Sequence, residues 1–243
     1  MLILNDPRTG YPLACIEASL ISATRTAASA PVATEHISPK PFRGILGVIG
    51  TEVIARTTVQ WLLFRNWKFR KISLYDADRK EAEHFSKWLR DQHNLQADIQ
   101  DRLEGAISDS SVILFTTTTP DPYLADEKLF EHYPTVLHLS LRDLCVNVIL
   151  ASQNIVDDVD HCLKAKTSLH LAEIAMGNRD FVSGSLVDVL DKKFKLDHNR
   201  PRIFSPFGLG VLDLAVGNFV LEAAKSSGGA IAIPDFFSNS ARW

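Results

Sequence analysis

The chain has 243 residues, 46% of them hydrophobic and 23% charged, with a formal net charge of −3 and a pI near 6.2. A chain this long buries roughly 70–75% of its unfolded surface, so it needs no disulfide or metal to hold a core, and its composition excludes a disordered chain, a collagen and a coiled coil. The only basic patch is Lys68, Arg70 and Lys71, which argues against a nucleic-acid partner, and no apolar run approaches the ~18 residues of a membrane span.

Met1 to Leu4 is apolar and predicts a strand, and MLILNDPRTG does not read as a secretory signal. Residues Asn5 to Gly10 form a turn by composition, and Pro12 to Ile16 predicts a second strand. The alanine-rich stretch from Ser19 to about Ile37 predicts a helix. Pro39 and Pro41 then mark a boundary. Ile45 to Ile49 is a short apolar run of the buried-strand type, Gly50 turns the chain, and Val53 to Phe64 reads as a helix. Lys71 to Asp76 is the next strand, and Asp78 can cap a helix running to about Asp91. Val112–Phe115 and Val136–Leu139 predict further strands. This strand–helix alternation is the pattern of a parallel α/β sheet. Residues from Asp157 to Leu190 read mostly as helices, Arg202 to Phe204 as a last strand, and Leu209 to Ala224 as a helix ended by Gly228 and Gly229. The tail from Ala230 to Trp243 is rich in Ile and Phe and predicts a packing surface.

A strand, a glycine turn, a helix and a second strand ending in an acid make a dinucleotide-site layout, because the turn brings backbone N–H groups and a helix N-terminus to a pyrophosphate. Here the turn is Gly50-Thr51-Glu52-Val53-Ile54-Ala55, and the acid expected on the ribose is Asp76, which favours NAD over NADP. Glu52 replaces the second glycine of G-x-G-x-x-A. A carboxylate about 4 Å from a phosphate charge costs roughly 4 kcal/mol at an effective dielectric near 20. The alternative from these residues alone is a doubly wound sheet whose first turn binds nothing.

Longer stretches carry more. They are DPRTGYPLACIEASLISATRTAA from Asp6, VLHLSLRDL from Val136, ILASQNIVDDVD from Ile149 and IFSPFGLGVLDLAVG from Ile203. Together they resemble the ornithine cyclodeaminase/mu-crystallin family, most closely its 2,3-diaminopropionate branch. The resemblance implies a Rossmann domain inserted into a second domain that binds substrate and dimerises. It therefore implies NAD as cofactor, a small amino-acid-type substrate, and a homodimer. The expected division is 1–40 and 205–243 for a reduced second domain and 41–204 for the Rossmann domain. Against the family, the chain starts at the LxLxDxxTG region, so a substrate-facing lysine of the family's N-terminal segment maps onto no residue here. Residue by residue, the resemblance makes Arg25 the grip on a substrate carboxylate and Asp143 the active-site acid. Thr117, Thr118 and Thr119 line the cofactor with Gly50 and Thr51, and Ser205, Gly208 and Asp213 stand beside the nicotinamide. Each has an ordinary alternative: an exposed arginine, a helix cap at Asp143, a polar strand end, a strand-to-helix turn.

Cys15, Cys145 and Cys162, an odd set without C-x-x-C, read as buried free thiols of a reducing cytoplasm. The acids Asp157, Asp158 and Asp160 read as charging a helix start rather than holding a metal. His138, alternating with apolar neighbours, reads as a satisfied core histidine, and His36, His84, His93 and His198 as surface residues. Ser205, Asp213 and a distant histidine are not expected to form a hydrolytic triad.

Overall fold

A computed structural model describes residues 1–38, 44–234 and 236. The boundary at Pro39 and Pro41 and the tail beyond Phe236 lie outside the described residues. The chain divides into two compact units, residues 1–22 with 210–243, and residues 23–209.

In the first unit, β1 (Leu2–Asn5) and β2 (Pro12–Ile16) pair antiparallel across the expected turn. Asp6 closes that turn, its carboxylate accepting from the N–H groups of Arg8 and Thr9. The turn-forming role of Asp and Gly here is local chemistry, legible without the rest of the chain. Next in the chain is α1 (Ser19–Ile37), which from Ala23 on belongs to the second unit and carries Pro31 in its interior. A proline removes one helical hydrogen bond. The helix persists because Ala27, Ala30, Ala33 and Ile37 are fully buried, so tertiary packing outweighs the loss.

The second unit alternates strand and helix: β3 (Ile45–Ile49), α2 (Val53–Phe64), β4 (Lys71–Tyr75), α3 (Arg79–His93), β5 (Ala97–Ile99), α4 (Leu103–Ile107), β6 (Val112–Phe115), β7 (Thr135–His138), α5 (Val146–Ala151), β8 (Gln153–Val156), α6 (Val159–Cys162), α7 (Ser168–Met176), β9 (Val182–Ser185), α8 (Leu186–Leu190) and β10 (Arg202–Ser205). A last helix, α9 (Gly210–Ser227), belongs to the first unit. The strands form an eight-stranded parallel sheet in the order β5-β4-β3-β6-β7-β10-β8-β9. Chain order runs outward from β3 through β4 to β5 on one side and from β6 to β7 on the other, where β10 is inserted between β7 and β8, and the topological switch point lies between β3 and β6.

Successive strand residues point to opposite faces, and both faces are covered. Leu46, Val48, Leu114, Leu137 and Phe204 pack with α1, α2 and α3 on one side. Ile49, Ile113, Phe115, Val136 and Ile203 pack with α4, α5 and α7 on the other. This is the α/β, doubly wound Rossmann-type sheet that the alternation predicted.

Three strands escaped the sequence reading. β5 has only three residues, too few to show a period. β8 opens on Gln153 and Asn154, buried amides whose NH2 groups donate to backbone carbonyls: Gln153 to Lys195 O, and Asn154 to Ile149 O and Phe181 O. β9 reads Val-Ser-Gly-Ser and sits at the sheet edge within the stretch expected to be mostly helical. One packing constraint is sharp. A Cβ on Gly47 would stand 2.0 Å from Ala106 O and 2.8 Å from Ser110 Oγ, so α4 needs a glycine on β3. Gly47→Ala is expected to lower stability by about 3 kcal/mol, the upper end for overpacking. Urea denaturation checks this, and an unchanged midpoint would contradict the close approach.

Candidate functional site

Gly50 ends β3 with φ +81°, and a Cβ there would stand 2.8 Å from the Thr116 carbonyl carbon. Only glycine suits both the left-handed backbone and that approach. The Thr116 hydroxyl donates to Gly50 O at 2.7 Å, joining the turns that follow β3 and β6. Between them opens a cleft of about 380 Å³, lined among others by Gly50, Glu52, Asp76, Thr117 and Tyr123. It sits at the C-terminal ends of the strands flanking the switch point, where open parallel sheets bind ligands.

Asp76 follows β4 and faces this cleft. Its Oδ2 accepts from Thr51 N (2.7 Å) and Thr51 Oγ1 (2.8 Å), and its Oδ1 accepts from Asp78 N (3.0 Å). With about four acceptor positions on a carboxylate, roughly one stays open to a ligand hydroxyl. Glu52 is the N-cap of α2 with φ −78°, and its side chain makes no capping hydrogen bond. That backbone suits any residue. Its exposed carboxylate borders the cleft beside the helix N-terminus.

Below the cleft lies Asp143, fully buried. Oδ1 accepts from Thr117 Oγ1 and, at 3.0 Å, from Tyr123 Oη. Oδ2 accepts from Ser140 Oγ and faces His138 Nε2 at 3.1 Å. His138 is itself fully buried, and its Nδ1 lies 3.2 Å from Ser205 Oγ. With Nε2 protonated it donates to Asp143 and accepts from Ser205. With Nδ1 protonated it donates to Ser205 and accepts from Asp143 N at 3.2 Å. Both tautomers satisfy both nitrogens. Burial pushes the Asp143 carboxyl up, but hydrogen bonds from His138, Ser140 and Thr117 outweigh it and hold the group below the usual carboxylate range. Burial and the Asp143 charge push the Tyr123 phenol far up.

A second cluster organises the turn after β10. Asp157 accepts from Phe207 N at 3.0 Å and Gly208 N at 2.7 Å. Gly208 has φ +102°, and a Cβ there would lie 2.3 Å from Arg25 Nη1, so the Arg25 guanidinium packs directly on this glycine. The buried Cys162 thiol donates to Asp157 Oδ1 (3.2 Å) and Ser205 O (3.0 Å). Burial and the Asp157 charge push it up to about 12, so it stays a thiol.

Residues 1–228 match the ornithine cyclodeaminase/mu-crystallin family. The chain belongs to that family. It is similar to N-((2S)-2-amino-2-carboxyethyl)-L-glutamate dehydrogenase of Staphylococcus aureus, 26% identical over 230 residues, covering 93% of this chain and 68% of that protein. Among solved structures it is similar to CmnK, at 30% identity and a TM-score of 0.80 over 93% of this chain and 68% of that one. It shares its fold with Thermococcus litoralis Delta(1)-pyrroline-2-carboxylate reductase, solved with NADH and L-proline, at a TM-score of 0.86, 24% identity, and coverage of 95% and 73%.

Within this family member, one network joins Thr117, Asp143 and Ser205, and one cleft gathers Gly50, Asp76 and Thr117 to Thr119. Arg25 and Gly208 meet in the second cluster. Asp213 stands in the first turn of α9. Several expectations are corrected. For Asp143 the alternative of a helix cap falls away, because the N-cap position of α5 is Cys145. Asp158 does cap α6, but Asp157 instead holds the Phe207–Gly208 turn. Cys15 is exposed rather than buried. His93 is partly buried, its ring edge-on to Trp88 at 4.8 Å. Ser205 does line up with a histidine and an acid, but the acid is Asp143, and Ser205 at 1% exposure cannot meet a substrate as a nucleophile. Tyr123 and Asp157 carry no spacing signal in the sequence. Their roles arise from contacts 20 and 51 residues apart.

Because the folded Asp143 titrates below its unfolded value, its contribution to stability is complete above about pH 4 and is lost as pH falls through the lower folded value. Asp143→Asn is expected to cost about 1–3 kcal/mol at pH 7 and to flatten the loss of stability below pH 4. Urea midpoints at several pH values check this. An acid limb as steep as that of the unmodified chain would contradict it.

Proposed function

We propose that this chain is an NAD-dependent enzyme that oxidatively cleaves N-(2-amino-2-carboxyethyl)-L-glutamate to 2-oxoglutarate and 2,3-diaminopropionate. Family membership supports NAD-dependent dehydrogenase or cyclodeaminase activity on a small amino-acid-type substrate. The observation that carries the reading is the cleft at the switch point, with the obligatory glycine on one side and a buried, hydrogen-bonded carboxylate beneath the other.

The residues present fit a dinucleotide. Gly50 lets backbone approach closely, the first turn of α2 offers N–H groups that no side chain caps, and Asp76 faces the cleft as a ribose acceptor. Thr117, Thr118 and Thr119 line the same wall. When bound, NAD supplies a two-electron acceptor for the substrate α-carbon. Arg25 holds a substrate carboxylate through its paired donors, and the Gly208 turn keeps the guanidinium in place. Gly208 borders the nicotinamide, whereas Ser205, expected beside it, is buried and not placed to touch it. Asp143, ionised and shielded from solvent, accepts a proton from water or amine. A homodimer is part of the proposal, supported by an archaeal alanine dehydrogenase of the same fold, 24% identical, that is a dimer. Among the described residues no helix is long and apolar enough to cross a membrane.

Glu52 favours a second reading, a homologue that binds without turnover, because its carboxylate borders the phosphate-binding turn. Incubating the chain with N-(2-amino-2-carboxyethyl)-L-glutamate and NAD, and following NADH and 2-oxoglutarate together, separates the two. Equal amounts of both products support cleavage. NAD binding without either product supports the second reading. Exposure places the Glu52 penalty near the aqueous limit, about 1 kcal/mol. Glu52→Gly is therefore expected to tighten NAD roughly fivefold by calorimetry. An unchanged or weaker affinity would show that the carboxylate does not face the phosphates.

A further inference from the structure

Asp143 has no direct outlet to the cleft. It is fully buried and is not among the cleft-lining residues. Each of its oxygens already takes two side-chain partners, filling the roughly four acceptor positions of a carboxylate. Whatever Asp143 does to a substrate must pass through a neighbour that touches both. Ser140 and His138 are not on the cleft wall. Thr117 and Tyr123 are. Of these, Tyr123 is the better placed carrier, since it is exposed on the cleft wall while Thr117 is half-buried. Tyr123 is 45% exposed, while its Oη donates to Asp143 Oδ1 at 3.0 Å. Its backbone is fixed by the same residue: Tyr123 N and Leu124 N donate to Asp143 O at 3.1 and 2.9 Å. Cys145 N donates back to Leu124 O at 2.9 Å.

On the reading above, that Asp143 manages protons in the cleavage, we propose that Tyr123 is the relay that carries them between Asp143 and the reacting centre. After oxidation the substrate is an iminium. A water attacking its carbon gives one proton to Tyr123 Oη as the phenol proton passes to Asp143 Oδ1. The new C–O bond forms, and the C=N π pair moves to nitrogen. The reverse hand-off returns that proton to the nitrogen. The C–N bond then breaks with its pair on nitrogen, and the hydroxyl proton goes to the departing amine as the carbonyl forms. Both hand-offs are concerted, so no phenolate forms beside the Asp143 charge.

The wiring behind Asp143 suits a group that takes a proton and gives it back. From Oδ2 the line continues to His138 and ends at Ser205, which is buried. Among the described residues, a proton held there is connected outward through the cleft-facing hydroxyls of Thr117 and Tyr123.

The test compares the unmodified chain, Tyr123→Phe and Asp143→Asn, with N-(2-amino-2-carboxyethyl)-L-glutamate and NAD in mixtures of light and heavy water. The relay predicts that Tyr123→Phe binds NAD as the unmodified chain does and keeps KM within about twofold. It predicts a kcat about 100-fold lower, the lower range of a lost proton-transfer group. It also predicts that a curved dependence of kcat on deuterium fraction, from two protons in flight, becomes linear. If Tyr123→Phe keeps its kcat, or loses rate with the curvature intact, while Asp143→Asn is inactive, the relay is wrong and the role of Asp143 stands. If Asp143→Asn turns over normally, or the unmodified chain does not turn over, the underlying reading fails and the relay with it.

Discussion

The site is organised by the cost of burying one carboxylate. An ionised group removed from water loses several kcal/mol of hydration unless neighbours replace it. Asp143 is replaced at every position: Thr117 from the turn after β6, Tyr123 from the segment beyond it, Ser140 and His138 from β7 and its exit. Through His138 the arrangement reaches Ser205 on β10. Moving any of these segments would leave a buried charge or a buried hydroxyl without its partner. Segments far apart in sequence are therefore held in one geometry by a requirement that none of them satisfies alone. That is the preorganisation a proton-transfer site needs, because the donors are placed before substrate arrives.

Two smaller devices work the same way. The Thr51–Asp76 pair ties the glycine turn to the end of β4, so these two sides of the cleft share one corner. Asp157 ties the Phe207–Gly208 turn to the end of β8, and the Cys162 thiol ties it to Ser205 O. In both places a carboxylate organises backbone N–H groups, and in both a glycine permits the close approach. Glu52 is the exception, a carboxylate at the cleft rim with no hydrogen bond to the helix it caps.

Much of the sheet was legible because its central strands are short apolar runs bounded by turn residues, and their helices carry caps such as Asp78, which accepts from Lys80 N. The cleft positions of Gly50 and Asp76 were legible because the turn and strand end that carry them are marked by neighbouring residues in sequence. Asp143 and Arg25 were identified by resemblance, since a lone acid after a strand carries no spacing of its own. β8 stayed hidden because Gln153 and Asn154 look like loop residues until the backbone carbonyls that take their NH2 groups are in place. Tyr123, standing among Pro120, Asp121 and Pro122, reads as an ordinary loop aromatic. Only the fold shows that its hydroxyl reaches a buried acid.

The central claim is that the cleft between the β3 and β6 turns is an NAD site read by Asp76. A calorimetric titration of the unmodified chain with NAD and, separately, with NADP tests it directly. Asp76 has roughly one acceptor position left for a ribose hydroxyl and a charge that repels a 2′-phosphate. The account predicts binding of NAD, with NADP roughly tenfold weaker or more. Equal affinity for the two, or binding of neither, would contradict it.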